Sequence, residues 1–152
     1  MKPAGFRLDI EQWQRLIGQF ILAFAEIELI TYRLWRDAFH TASPPRNFAS
    51  RINPIIEHIR KRCPPNEELI ALLLESRKLA KKRNVVAHNP VQIQVLKHTK
   101  TGELLFQDII ACRDGSLCID DLELIELAGV AENLLGRLYI SAGLVPQPLE
   151  GA

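Results

Sequence analysis

From Trp13 onward, apolar residues recur at Leu16, Ile17, Phe20, Phe24, Ile27, Thr31 and Leu34, while Gln12, Arg15, Gln19, Glu26, Arg33 and Asp37 fall on the opposite side. A period of 3.6 residues predicts a helix, beginning after Asp9 as N-cap and running to about Ala38. Ile21, Leu22, Leu29 and Ile30 widen its apolar surface beyond a single stripe, so the helix expects neighbours on two sides. The loop SPPRN ends it, because consecutive prolines cannot continue a helix and restrict the residues before them.

Pro54 follows Asn53 directly, which suits an N-cap and a first-turn proline, and predicts a short second helix to about Arg62; the residues before Asn53 read either as a separate turn or as a kinked extension. Pro64 and Pro65 close that helix. Asn66 then caps a third, with Glu67 and Glu68 at the positive end of its dipole, extending to about His88 before Pro90. Its inner face reads Leu69, Leu73, Ser76, Ala80, Arg83, Ala87. Beyond Pro90 the period falls to two: VQIQVLKHT alternates, KTGE turns and ELLFQDIIAC returns, which predicts a β-hairpin over about 91–113. Asp120 or Asp121 caps a last helix through Leu122, Ile125, Ala128, Leu135 and Leu138 to Gly143, followed by a loose tail over about 144–152. Gly129 and Gly136 weaken that helix but permit another backbone to approach closely. The expected architecture is a single domain over 1–152, mainly all-α: a bundle of four main helices with the hairpin before the last. The two-sided first helix and the glycine spacing point to a homodimer through the long helices.

At 152 residues and 47% hydrophobic, the chain can bury a core without a disulfide or metal staple. Nineteen basic and eighteen acidic residues nearly cancel, but they are not mixed. From Arg46 to Arg83 ten Lys or Arg stand against four Glu, and from Asp108 to Glu132 seven Asp or Glu stand against Arg113 alone. This separation can orient a polyanion or set a dimer's register, or simply be solvated. Cys63, Cys112 and Cys118 leave one thiol over in any pairing and offer no Cys-x-x-Cys site. Reduced thiols, together with no apolar run long enough for export or a membrane span, read as a cytoplasmic protein.

The most informative stretch is RKLAKKRNVVAHNP, residues 77–90. Asn84 and His88 are four apart, so a helix places them on one face, where the amide can orient the imidazole. Arg83 falls instead on the apolar stripe with Leu69, Leu73 and Ala80, where an unpaired guanidinium is costly to bury. It therefore needs an anionic partner. Glu28 lies on the side of the first helix that carries Ile17, Phe24 and Trp35, which makes it the candidate. Such a pair either fixes helix packing or holds an arginine ready for phosphate.

RNVVAH resembles the motif of the HEPN domains (higher eukaryotes and prokaryotes nucleotide-binding), an Arg separated by four to six residues from a His near the end of a bundle helix. Asn84, directly after the arginine, is also common in that superfamily. The resemblance covers the helical core, about residues 9–90 and 120–142, and makes the hairpin an insertion. It implies a metal-independent endoribonuclease without a cofactor, of a kind found among toxins and defence proteins, in which two protomers bring their motifs together. On that reading Arg83 stabilises the charged phosphoryl group and His88 exchanges a proton with the 2′-hydroxyl or the leaving oxygen. Imidazole is the side chain suited to such exchange near neutral pH. Asn84 positions either neighbour, with Glu28 supporting Arg83, while Lys78, Lys81 and Lys82 steer the RNA. Attack by the 2′-hydroxyl leaves a 2′,3′-cyclic phosphate. An antitoxin or other protein partner fits the toxin branch, but Asn89 and Pro90 follow His88 where that branch carries an aromatic residue, so control by nucleotide transfer to that position is not implied. The superfamily also holds members that only bind RNA, nucleotides or proteins, which is the alternative reading.

The other chemistry-bearing residues read as structural. His40, His58 and His98 lack metal-ligand spacing. Cys112 and Cys118 flank a turn as packed thiols. Trp13, Trp35, Phe20 and Phe24 are spaced as core rather than as stacking platforms. No glycine-rich loop leads from a strand into a helix.

Overall fold

The computed structural model describes residues 7–40 and 43–144. Four helices and a small antiparallel sheet follow in the order α1 (Ile10–Phe39), α2 (Phe48–Arg60), α3 (Glu67–His88), β1 (Val91–Lys97), β2 (Leu104–Ala111), β3 (Cys118–Asp120) and α4 (Asp121–Ser141). The mainly helical architecture with an inserted hairpin is as expected. The third strand was not. Ile119 pairs with Ile110 and both are fully buried, so the hairpin is anchored by a strand too short to show a period of its own.

Capping chemistry decides three of the four helix starts as the sequence indicates. Asp9 accepts from the Gln12 amide while Gln12 returns a bond to the Asp9 backbone, a reciprocal capping box. Asn66 accepts from Leu69 N–H at 3.0 Å, and Asp120 from Glu123 N–H at 2.9 Å. For α2 the expectation fails: the cap is Asn47, which accepts from Ser50 N–H, and Asn53 and Pro54 lie inside the helix. One continuous buried stripe explains this extension. Phe48, Arg51, Ile52, Ile55, Ile56 and Ile59 all turn inward, while Pro54 deprives only the Ser50 carbonyl, on the exposed side where water can serve it.

Side-chain contacts set the directions of the helices. Phe24 meets Phe48, Thr31 meets Arg51 and Phe39 meets His58, so α2 runs with α1. The Asn66 side chain bonds to Ser141 O, and Lys82 to Glu123, so α3 and α4 are antiparallel. The core between them holds Trp13, Phe20, Phe24, Ile27, Ile30, Leu72, Leu73, Leu124 and Leu138. Trp35 is buried as well, so the four aromatic residues expected as core are core.

Three smaller expectations change. Ala87 is exposed, and Val85 and Val86 take the inner face at the end of α3. A Cβ on Gly129 or Gly136 would meet nothing within 4 Å, so among the described residues no other backbone approaches either. Of the tail, only Leu144 lies among the described residues, and its N–H closes on Tyr139 O beyond Gly143, whose φ of +69° suits glycine after a helix end.

Candidate functional site

Arg83 sits where the helical period puts it, partly buried on the inner side of α3, and Glu28 is its partner. The Nη2–Oε1 distance is 2.7 Å, with side-chain exposures of 23% and 29%. The guanidinium carbon lies 4.9 Å from the Phe24 ring centre, so the cation rests on an aromatic face as well as on a carboxylate. Glu28 occupies only one terminal nitrogen. Nε is buried without a hydrogen-bond partner, and no described residue accepts from Nη1.

The same arginine lines a cavity of about 600 Å³ between α1, the start of α2 and α3. Arg46, Arg77, Lys78, Lys81 and Arg83 line it against Glu28 alone, and that carboxylate is already engaged by Arg83. Asn47, Phe48 and Ala49 present the first turn of α2 to the cavity, and this turn carries no acidic residue. Helix dipole and side chains therefore have the same sign here, the combination that favours a phosphate. Arg46, Lys78 and Lys81 have no ion-pair partner among the described residues.

The candidate residues divide between engaged and open positions. Lys78, Lys81 and Asn84 line the cavity with Arg83. Lys82 does not: its Nζ is 2.6 Å from Glu123 Oε1 on α4, which neutralises it and ties α3 to α4. His88 is exposed at the last residue of α3 and outside the cavity lining. No hydrogen bond joins it to Asn84, so the expected orienting contact is not made in the single chain; Asn84 faces the cavity instead. Arg77, Lys81, Asn84 and His88 nevertheless share one exposed side of α3, spanning about 16 Å by helical rise.

Sequence reasoning missed Arg46, Arg77 and the role of Asn53. Arg77 donates to Asn53 Oδ1 at 2.8 Å, which fixes it at the cavity wall. Reading Asn53 as a cap removed the signal, since the two come together only once α2 begins six residues earlier. Arg51 was also missed. Fully buried, it donates to Thr31 Oγ1 at 2.8 Å and to Pro45 O at 2.7 Å, holding the segment that carries Arg46 to the cavity rim.

Among the described residues no group of three or more His, Cys, Asp or Glu is placed to hold a metal ion, and no helix is long and apolar enough to cross a membrane. What the site offers is a rigid arginine, a basic cavity and, one turn beyond Asn84, an imidazole open to solvent. No protein-family profile matches the chain, and neither a curated protein nor a solved structure is found to be similar to it.

Proposed function

We propose that the chain is a HEPN-like, metal-independent endoribonuclease with Arg83 and His88 as its catalytic pair. The observation that carries this reading is Arg83: it is held by Glu28 and Phe24 yet keeps a free terminal nitrogen, and it lines a cavity whose other cations are unpaired or held at its wall. Preorganised positive charge of this kind stabilises developing negative charge without reorganising during the reaction.

In the proposed reaction the ribose 2′-oxygen forms a bond to phosphorus as the phosphorus–O5′ bond breaks. The 2′-hydroxyl gives up its proton, O5′ takes one, and the products are a 2′,3′-cyclic phosphate and a 5′-hydroxyl. His88 serves one of these transfers, and a second copy of the motif, across a dimer, serves the other. Arg83 neutralises the phosphoryl oxygens in the transition state, while Lys78 and Lys81 draw in the strand.

The position of His88 supports a second reading. It stands outside the cavity and unattached to Asn84, as expected of a module that binds a phosphate-bearing ligand without cleaving it. One experiment separates the two. Wild type, Arg83→Ala and His88→Ala are incubated with a mixed RNA pool in EDTA, with folding checked by circular dichroism and product ends tested for cyclic phosphate. Cleavage lost in both folded variants supports the nuclease. Equal background in all three, with RNA retained by wild type and weakened by Arg83→Ala, favours the binding module.

A further inference from the structure

The hairpin extends beyond the core with its apolar residues uncovered. Ile93, Val95, Leu104 and Phe106 lie on one face and are 62, 53, 53 and 52% exposed. Among the described residues β1 is an edge strand along its whole length, whereas β2 is covered by β3 only from Ile109 to Ala111. The sequence of β1, VQIQVLK, has no proline and no charge before Lys97, so it lacks the devices that normally keep an edge from pairing.

We propose that β1 pairs antiparallel with β1 of a second copy across a two-fold axis at Gln94, making one six-stranded sheet. Hydrogen-bond geometry selects this register. His98 N–H donates to Glu103 O, so Gln92, Gln94 and Leu96, in phase with His98, exchange bonds with β2. Val91, Ile93, Val95 and Lys97 then direct their N–H and C=O to the open edge. A two-fold at Gln94 sets Ile93 opposite Val95 and Val91 opposite Lys97. Each is a pair of outward-facing residues, and all seven positions of β1 are used. Gln94 meets itself, and an amide is its own complement.

Charge agrees with this register. No like charges face one another. Each Lys97 arrives beside Val91, which lines a second cavity with Asp9, Asp108 and Arg7; Arg7 engages Asp108, leaving the Asp9 carboxylate without an ion-pair partner among the described residues. The free part of β2 fits a second copy less well: pairing about Phe106 would set Leu104 opposite Asp108, already bound to Arg7 at 2.6 Å. In the β1 pairing the two apolar faces join into one band, with Ile93 and Val95 flanked on both sides. The two His88 side chains stay near opposite ends of the ladder, so this contact is independent of the nuclease reading.

The test reads mass, not RNA cleavage. Sedimentation equilibrium of wild type up to high micromolar concentration is expected to give at least twice 17.2 kDa. Val95→Pro removes an outward N–H while leaving the β1–β2 bonds in place, and is expected to give a folded protein of half the wild-type mass. Ile93→Lys and Val95→Glu are each expected to weaken the dimer at least tenfold, and the double variant I93K/V95E to restore it through two cross-strand ion pairs. A wild type that stays monomeric overturns the proposal. So does an assembly whose mass and affinity are unchanged by Val95→Pro, or a double variant no better than the singles when all are folded by circular dichroism.

Discussion

Two arginines, Arg51 and Arg83, flank the same pair of aromatic rings and are stabilised in opposite ways. Phe24 and Phe48 lie 5.1 Å apart; Arg83 stands over Phe24, while Arg51 stands 5.5 Å from Phe48 and 3.8 Å from Tyr32. Arg51 is fully buried with no carboxylate partner among the described residues; its charge is spread over Thr31 Oγ1 and the Pro45 and Arg46 carbonyls, and its leftover Nη2 is sealed in the interior. Arg83 has a carboxylate, some access to water and an unused nitrogen. The first arrangement holds a loop in place. The second holds a charge in place while leaving it able to bind something else.

The largest effect is therefore expected at the arginine without a proposed catalytic role. Arg51→Ala removes a buried side chain and strands several acceptors, at a cost of about 3 kcal/mol or more. For a chain of this size that is a fall of roughly 10 °C in Tm, measurable by thermal melting. Because Arg51 also holds the backbone that carries Arg46, RNA affinity should fall with it. A melt within a degree or two of wild type would mean that the loop is held by something other than this guanidinium.

Arg83→Ala should cost less, about 1–2 kcal/mol, since water can reach the abandoned Glu28. A double-mutant cycle between Glu28 and Arg83 should give a coupling of about 1 kcal/mol, and zero coupling would dissolve the comparison. His88→Ala, at an exposed position with no hydrogen bond or ion pair among the described residues, should change stability by less than about 0.5 kcal/mol while abolishing cleavage. A large loss of stability in His88→Ala would point to packing rather than catalysis.

The two arginines also show how much was legible in the sequence. Arg83 falls on an apolar stripe whose period holds from Leu69 up to that residue, so its need for a partner, and Glu28 as the candidate, followed from angles alone. Arg51 lies on an equally regular stripe with Phe48, Ile52, Ile55 and Ile59. That stripe was hidden by taking Asn53 and Pro54 as a helix start, a local signal overridden by the burial of a continuous face. Other failures have the same origin. β3 is three residues long and exists because Ile119 finds Ile110; the Lys82–Glu123 bond spans two helices whose adjacency no spacing reveals. Local chemistry marked three caps correctly, but the cavity is assembled from residues of different elements and needed the fold.

A smaller difference is expected among the lysines that the sequence grouped together. Lys81 faces the cavity without a partner, whereas Lys82 is neutralised by Glu123. In a titration of RNA affinity against salt, Lys81→Ala should lower the slope of log K on log salt by about 0.7, the value for one single-strand phosphate contact. Lys82→Ala should leave that slope nearly unchanged and act on stability instead. Equal slopes for the two variants would place the strand across the α3–α4 seam rather than in the cavity.

The weakest effect belongs to the root of the hairpin, where Arg7 donates twice to Asp108, at 2.6 and 2.9 Å. The guanidinium hydrogen bond, reinforced by its charge and opposed by slight burial, holds the Asp108 carboxyl below the usual 3.8. A carboxyl whose pKa is lower folded than unfolded binds protons more readily in the unfolded chain. Its contribution is therefore complete above the unfolded pKa and is lost as the pH falls through the folded value. Melting temperature followed from pH 5 downward should accordingly fall less steeply in Asp108→Asn than in wild type, with the two converging at the acid end. Because Arg7 is half exposed, the difference should be small and should shrink further in high salt. Curves that stay parallel at every pH would show that this pair fastens the hairpin by shape alone.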